Sequence, residues 1–203
     1  MPERAWPRSL ALGYPDFPMR RFWKSWGSAL FLACLAPVLA GADKPVWPLT
    51  LREGLPATLP GYAAAPKEEL PDDYENEMGK YVEIGRFFQR IESPTSTKQF
   101  RVVIQDYEGG KNLAVLLRQA IDEAKKAPGV EAKETEISGR KTFVVTDRSQ
   151  PRPTTLVTVV VSPARLVLGQ GSNVTGDEAI GLVKLVDLTK VASVKREPTA
   201  IKD

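Results

Sequence analysis

Histidine is missing from this 203-residue chain, and cysteine occurs once, at Cys34. Without histidine, Ser-His-Asp and Cys-His nucleophile systems are excluded, because the general base is absent. Zinc, copper and iron centres draw on cysteine and histidine, so transition-metal catalysis is nearly excluded as well and no cofactor is expected. No disulfide can form within the chain, which must be held together by its apolar core. Long apolar runs are also scarce. The longest, Ala29 to Ala40, has twelve residues, eleven apolar and one proline, whereas a spanning helix needs about 20.

Charge of one sign is lacking too, once it is located. The 28 Lys and Arg exceed the 25 Asp and Glu by three. Residues 1–42 hold Arg4, Arg8, Arg20, Arg21 and Lys24 against Glu3 and Asp16, which accounts for the whole excess. The remaining body is formally neutral. Affinity for nucleic acid rests largely on neutralising phosphates, so no nucleic-acid partner is expected.

The apolar run follows Arg20, Arg21 and Lys24 and leads into small residues, the three parts of a secretory signal. Cleavage is expected after Ala40 or after Ala42, leaving an exported, periplasmic or secreted chain with no stable membrane span. Either register removes the only cysteine. Met19 directly precedes Arg20 and is an alternative start to Met1, so residues 1–42 read as an N-terminal extension with a signal core at 19–42. Leu32-Ala33-Cys34 is a poor lipidation motif, because Phe31 sits where such motifs prefer leucine and the apolar segment before the cut would be short.

Residues 43–79 contain six prolines, a density that opposes helix and central strand alike. They read as a Pro-rich lead or linker. The alternative is that Trp47, Leu49, Leu55, Leu59 and Tyr62 pin the segment across the flank of the domain. Within it, "EELPDDYENE" is rich in carboxylates, and Asp72, Asp73, Glu75 and Glu77 are candidate Ca²⁺ ligands, although the spaced order of a dedicated loop is absent.

Residues 80–194 read as one α+β domain, and 195–203 as a loose tail. "KYVEIGRFFQR" (80–90) is read as a strand for its β-branched and aromatic residues, though its spacing also fits a helix. With "QFRVVIQDY" (99–107) it would form a hairpin. In "KNLAVLLRQAIDEAKKA", Leu113, Leu116, Leu117, Ala120, Ile121 and Ala124 recur at three- and four-residue steps, the mark of one helical face, and Pro128-Gly129 stops the helix.

Four further strands are expected at 130–137, 141–147, 154–162 and 165–171. The charged 130–137 reads as an exposed edge and Val157 to Val161 as an interior strand. Thr175-Gly-Asp-Glu178 is a capping box opening a last helix. The expectation is a single mainly antiparallel sheet of five to six strands, in the order ββαββββα, with two helices on one face.

"GLPATLPGY", "MGKYVEIGRFFQR", the strand ending at Asp106, "ISGRKTF" and "VTGDEAIGLVKLVDLTKV" together resemble small exported bacterial proteins of unknown function, and the element order is similar to compact α+β domains of the PsbP type. The resemblance spans Leu55 to Val191 and implies fold and compartment; none of its motifs is catalytic.

Asp106 and Asp147 each end an expected strand and are the candidate carboxylate pair for acid and base work, as in an envelope hydrolase. Gly169-Gln-Gly171 and Thr175-Gly176 meet neither phosphate-loop fingerprint. Arg86, Arg101, Arg140 and Arg165 could order an anion if they shared a face. The expected function is that of a non-enzymatic exported module that binds an envelope protein or a small apolar ligand between sheet and helices.

Overall fold

The computed structural model describes residues 47–65, 71–76, 78–109 and 112–196. The expected signal segment, with Cys34 and the cleavage residues Ala40 and Ala42, lies outside them, as do Glu77 and residues 197–203.

Among the described residues eight strands form one antiparallel sheet. They are β1 (Ala63–Ala64), β2 (Asp72–Asn76), β3 (Gly79–Ser93), β4 (Ser96–Tyr107), β5 (Val130–Ile137), β6 (Arg140–Asp147), β7 (Thr154–Ser162) and β8 (Arg165–Ser172). The lateral order is β1-β3-β4-β8-β7-β6-β5, and β2 pairs with β3 beside β1. All six expected strands are present, with 80–90 a strand, β3–β4 a hairpin, β7 interior and β5 an edge. Two short strands come from the lead, which raises the count from six to eight.

The helices depart from expectation. Helix α1 (Leu113–Ala124) lies on one face of the sheet, whereas α2 (Gly176–Val183) and α3 (Leu188–Ser193) lie on the other. The reason is in the strands. β4, β7 and β8 are apolar at successive positions, so Val102, Val157 and Val167 point to one side while Val103, Leu166 and Leu168 point to the other. Covering one face alone would leave the second row in water, at about 25 cal/mol per Å² of apolar surface.

The expected single last helix is two, because Asp187 interrupts it: its carboxylate accepts from Lys190 N at 2.8 Å and caps α3.

The lead is docked where it is described. A 3-10 helix, Leu49–Gly54, buries Leu51 and Gly54, three residues apart on one side of its three-residue turn, while Leu49 stays 36% exposed. Leu55, Leu59 and Tyr62 continue the contact with Ile84, Phe88 and the residues of α3. The two faces are therefore a lead face, under α2, α3 and the lead, and a cleft face, under α1.

Glycines at 169 and 171 belong to this packing. A Cβ at Gly169 would collide with Val183 Cγ2 and reach within 2.8 Å of the Phe100 ring, and one at Gly171 would stand 2.7 Å from Val174 Cβ. They let α2 and its entry lie against the sheet, which is a packing role and not a phosphate cradle.

Candidate functional site

Helix α1 runs over the β5–β6 side of the sheet and leaves a space of about 330 Å³ against β7, β8 and the neighbouring strands. The helix supplies Leu117, Ala120, Ile121 and Ala124 to its wall, and the sheet supplies Phe87, Phe143, Val145 and Leu156. These are alternate residues of their strands, brought to one face by the two-residue period. The helical stripe read from the sequence thus both seals the core and walls a cleft.

Polar groups stand at the two ends of this cleft. At one end is Arg101 of β4, whose guanidinium meets Glu83 at 2.8 Å. Glu83 is buried and also accepts from Gln105 Nε2 at 2.7 Å; Gln105 Oε1 accepts from Tyr107 OH at 3.0 Å, and the Tyr107 phenol oxygen accepts from Asn76 Nδ2 at 3.1 Å. The chain of bonds runs from the cleft to β2, where Tyr74, Tyr81 and Tyr107 stack with centroids 5.6 and 4.7 Å apart. Burial pushes the Tyr107 phenol up to about 12, with the Glu83 charge adding to it and the bond from Asn76 opposing it. Burial and Glu83 likewise raise Tyr81.

At the other end is Asp147, the last residue of β6. It is 2% exposed; Oδ1 accepts from Ser149 N at 2.8 Å, while Oδ2 is closed to solvent and has no hydrogen-bond partner.

Asp106 and Asp147 do not form a pair. Asp106 points to the lead face, where Oδ2 accepts from Arg165 Nη2 at 2.8 Å and from Trp47 Nε1 at 3.1 Å. Its β8 neighbour is Arg165, while the strand pairing Asp147–Thr154–Ser172 places the other carboxylate at the far end of β8. Seven residues at about 3.3 Å each put them about 23 Å apart along the strand direction alone. Acid and base chemistry on paired carboxylates spans at most about 9.5 Å. The hydrolase built on this pair is thereby set aside.

The candidate Ca²⁺ ligands do not converge either. Asp72, Asp73 and Glu75 lie in β2, whose alternation sends Asp72 to the side opposite Asp73 and Glu75. Among the described residues no group of three carboxylates is arranged to hold a metal ion. The four arginines are also dispersed. Arg101 is on the cleft face, Arg165 is buried on the lead face, and Arg140 donates to Val161 O. Arg86 lies in β3 between Ile84 and Phe88, on the lead side. No common anion site results.

The capping box is half formed. Thr175 Oγ1 accepts from Glu178 N at 3.2 Å. Glu178 does not turn back to the cap; its carboxylate accepts from Tyr62 OH at 2.9 Å and Lys98 Nζ at 2.7 Å, tying the lead and β4 to α2. Burial opposes the charged form, but Lys98, Tyr62 and Arg90 outweigh it and hold Glu178 below the usual carboxylate range.

Sequence reasoning missed the Glu83–Gln105 pair and the isolation of Asp147. The signal for the first was two polar residues at inward positions of otherwise apolar strands, which register then sets opposite each other.

No family model, no curated protein and no solved structure matches the chain. Among the described residues no helix is long and apolar enough to cross a membrane.

Proposed function

We propose that the chain is a small exported binding module, non-enzymatic, that holds a small apolar ligand in the cleft between α1 and the sheet. The observation that carries this reading is the cleft itself. Its volume of about 330 Å³ lies at the lower end of ligand pockets, about 300 to 1,000 Å³, and its walls are apolar with a few fixed polar groups. The neutral body and the lack of histidine support binding over catalysis. The apolar run after Arg20, Arg21 and Lys24 supports export.

The test is titration with an environment-sensitive apolar dye, on the wild type and on Ala120→Phe, which fills the cleft from α1. Saturable one-to-one binding that Ala120→Phe weakens at least about tenfold, with unchanged circular dichroism, is the expected result. Absence of saturation, or binding indifferent to Ala120→Phe, would overturn the proposal.

A further inference from the structure

We infer that the cleft takes an amphipathic amine: an apolar chain lying against Leu117, Ile121 and Leu156, with a protonated nitrogen at Asp147. The inference rests on the cleft being the ligand site and adds the chemistry of the head group.

The argument begins with a buried group left incomplete. Nearly all buried polar atoms in folded proteins have a hydrogen-bond partner, and each exception asks for an explanation. Asp147 Oδ2 is such an exception, in a side chain 98% withdrawn from solvent (2% exposed) that lines the cleft. Oδ1 is committed to Ser149 N, which fixes the carboxyl group and leaves the second oxygen for another donor.

The protein's own cations do not supply one. Among the described residues Asp147 has no ion pair. Arg148, next in sequence, is exposed and pairs with Glu131 at 3.2 Å. Arg101 stands on the same face, but its register through Gln170 and Leu156 to Val145 places it three strands away, about 14 Å, and it is engaged by Glu83. Between the two ends the lining is apolar apart from Thr158 and Gln170, and at the Asp147 end it also holds the hydroxyl-bearing Thr154, Thr155 and Ser172. An entering ligand therefore meets apolar walls and, at one end, Asp147, whose unused oxygen lies just beneath the lining and is reached by a donor that displaces the side chains closing it off. A donor that carries charge suits it best, because hydrogen bonds between charged partners are the strong ones and are stronger where water is excluded. A fatty acid of the same length would bring a like charge to this end.

The experiment compares decylamine, decanol and decanoate by calorimetric titration on wild type, Asp147→Asn and Ala120→Phe. Asparagine retains an acceptor for Ser149 N and removes the charge. The expected result is that decylamine binds wild type at least about tenfold tighter than decanol, that decanoate binds more weakly than both, and that Asp147→Asn shrinks the amine preference to within about threefold. A wild-type nuclear Overhauser contact between the amine's first methylene and the Asp147 β-protons reports the same placement without a variant, should Asp147→Asn fail to fold. If all three probes bind wild type alike and Ala120→Phe weakens all, the cleft reading stands and the amine inference falls. An amine preference that survives in Asp147→Asn, or a methylene far from Asp147, also overturns it. If none binds saturably, the cleft reading itself falls.

Discussion

The two faces of the sheet are covered by different means. On the lead face, the lead and the C-terminal helix pair α2–α3 converge from distant parts of the sequence, two glycines allow backbone and ring to approach closely, and a buried ion pair, Asp106–Arg165, is held from both ends: Trp47 donates to Asp106, and Arg165 donates to the carbonyls of Val191 and Val194. On the cleft face, one helix covers part of the surface, polar residues sit among the apolar ones, and a carboxylate oxygen is left over. The same strands face both ways, so the difference lies in what lies over them. The layer with one helix keeps a space of about 330 Å³ between helix and sheet.

The largest break in this comparison is expected from Phe100→Ala, which empties the centre of the lead face and should cost about 3 to 5 kcal/mol in denaturant unfolding. Phe87→Ala, at the half-buried rim of the cleft, should cost less than about 1 kcal/mol, since a site already open has little cavity to create. Asp106→Ala leaves Arg165 buried without its partner and should cost about 3 to 5 kcal/mol, whereas Asp147→Asn removes a charge that has no partner and should leave stability within about 1 kcal/mol or raise it.

Gly169→Ala should destabilise by about 1 to 3 kcal/mol through overpacking against Val183 and Phe100. Gly181→Ala, in α2 with open space around its Cβ, should stabilise by up to about 1 kcal/mol.

A smaller, pH-dependent difference involves Glu178. Its folded pKa is below the ordinary 4.5, so the stabilisation it gives is present in full above 4.5 and is lost as pH falls through the folded value. Thermal melts between neutral and acid pH should show this loss, and Glu178→Gln should reduce the slope. On the cleft face the corresponding titration is alkaline: ultraviolet difference spectra should show Tyr107 ionising near 12, well after a free tyrosine.

How much of this was readable beforehand depends on whether the signal was local. Strands with β-branched runs, the amphipathic helix before Pro128-Gly129 and the charged edge β5 declare themselves within a few residues. The face on which each helix lies is not local, since α1 and α2 are both amphipathic and either could cover either side; only the apolar rows on both sides of β4, β7 and β8 argue for two layers. The lead was misleading for a related reason. Its prolines exclude regular helix and central strand, but they do not prevent docking, and a 3-10 helix turns Leu51 inward and leaves Leu49, the leucine expected to pin the segment, partly exposed. The candidate pair Asp106 and Asp147 failed because strand ends look alike in sequence; the direction of each strand and its place in the sheet decide whether two ends meet. The cleft could be anticipated as a space under 113–124, but its leftover carboxylate depends on Ser149 taking only one oxygen.

The contact between Trp47 and Arg196 has a topological consequence. The guanidinium of Arg196 lies 5.1 Å from the centre of the Trp47 ring, so the first and last described residues of the body touch. A body whose first and last described residues meet can be joined there and opened elsewhere. A circular permutant joining 47 to 196 by a short glycine-serine bridge, with new ends at the exposed Pro94–Thr95 tip of the β3–β4 hairpin, should retain the sheet and place both termini at the opposite end of β4 from the Asp106–Arg165 ion pair.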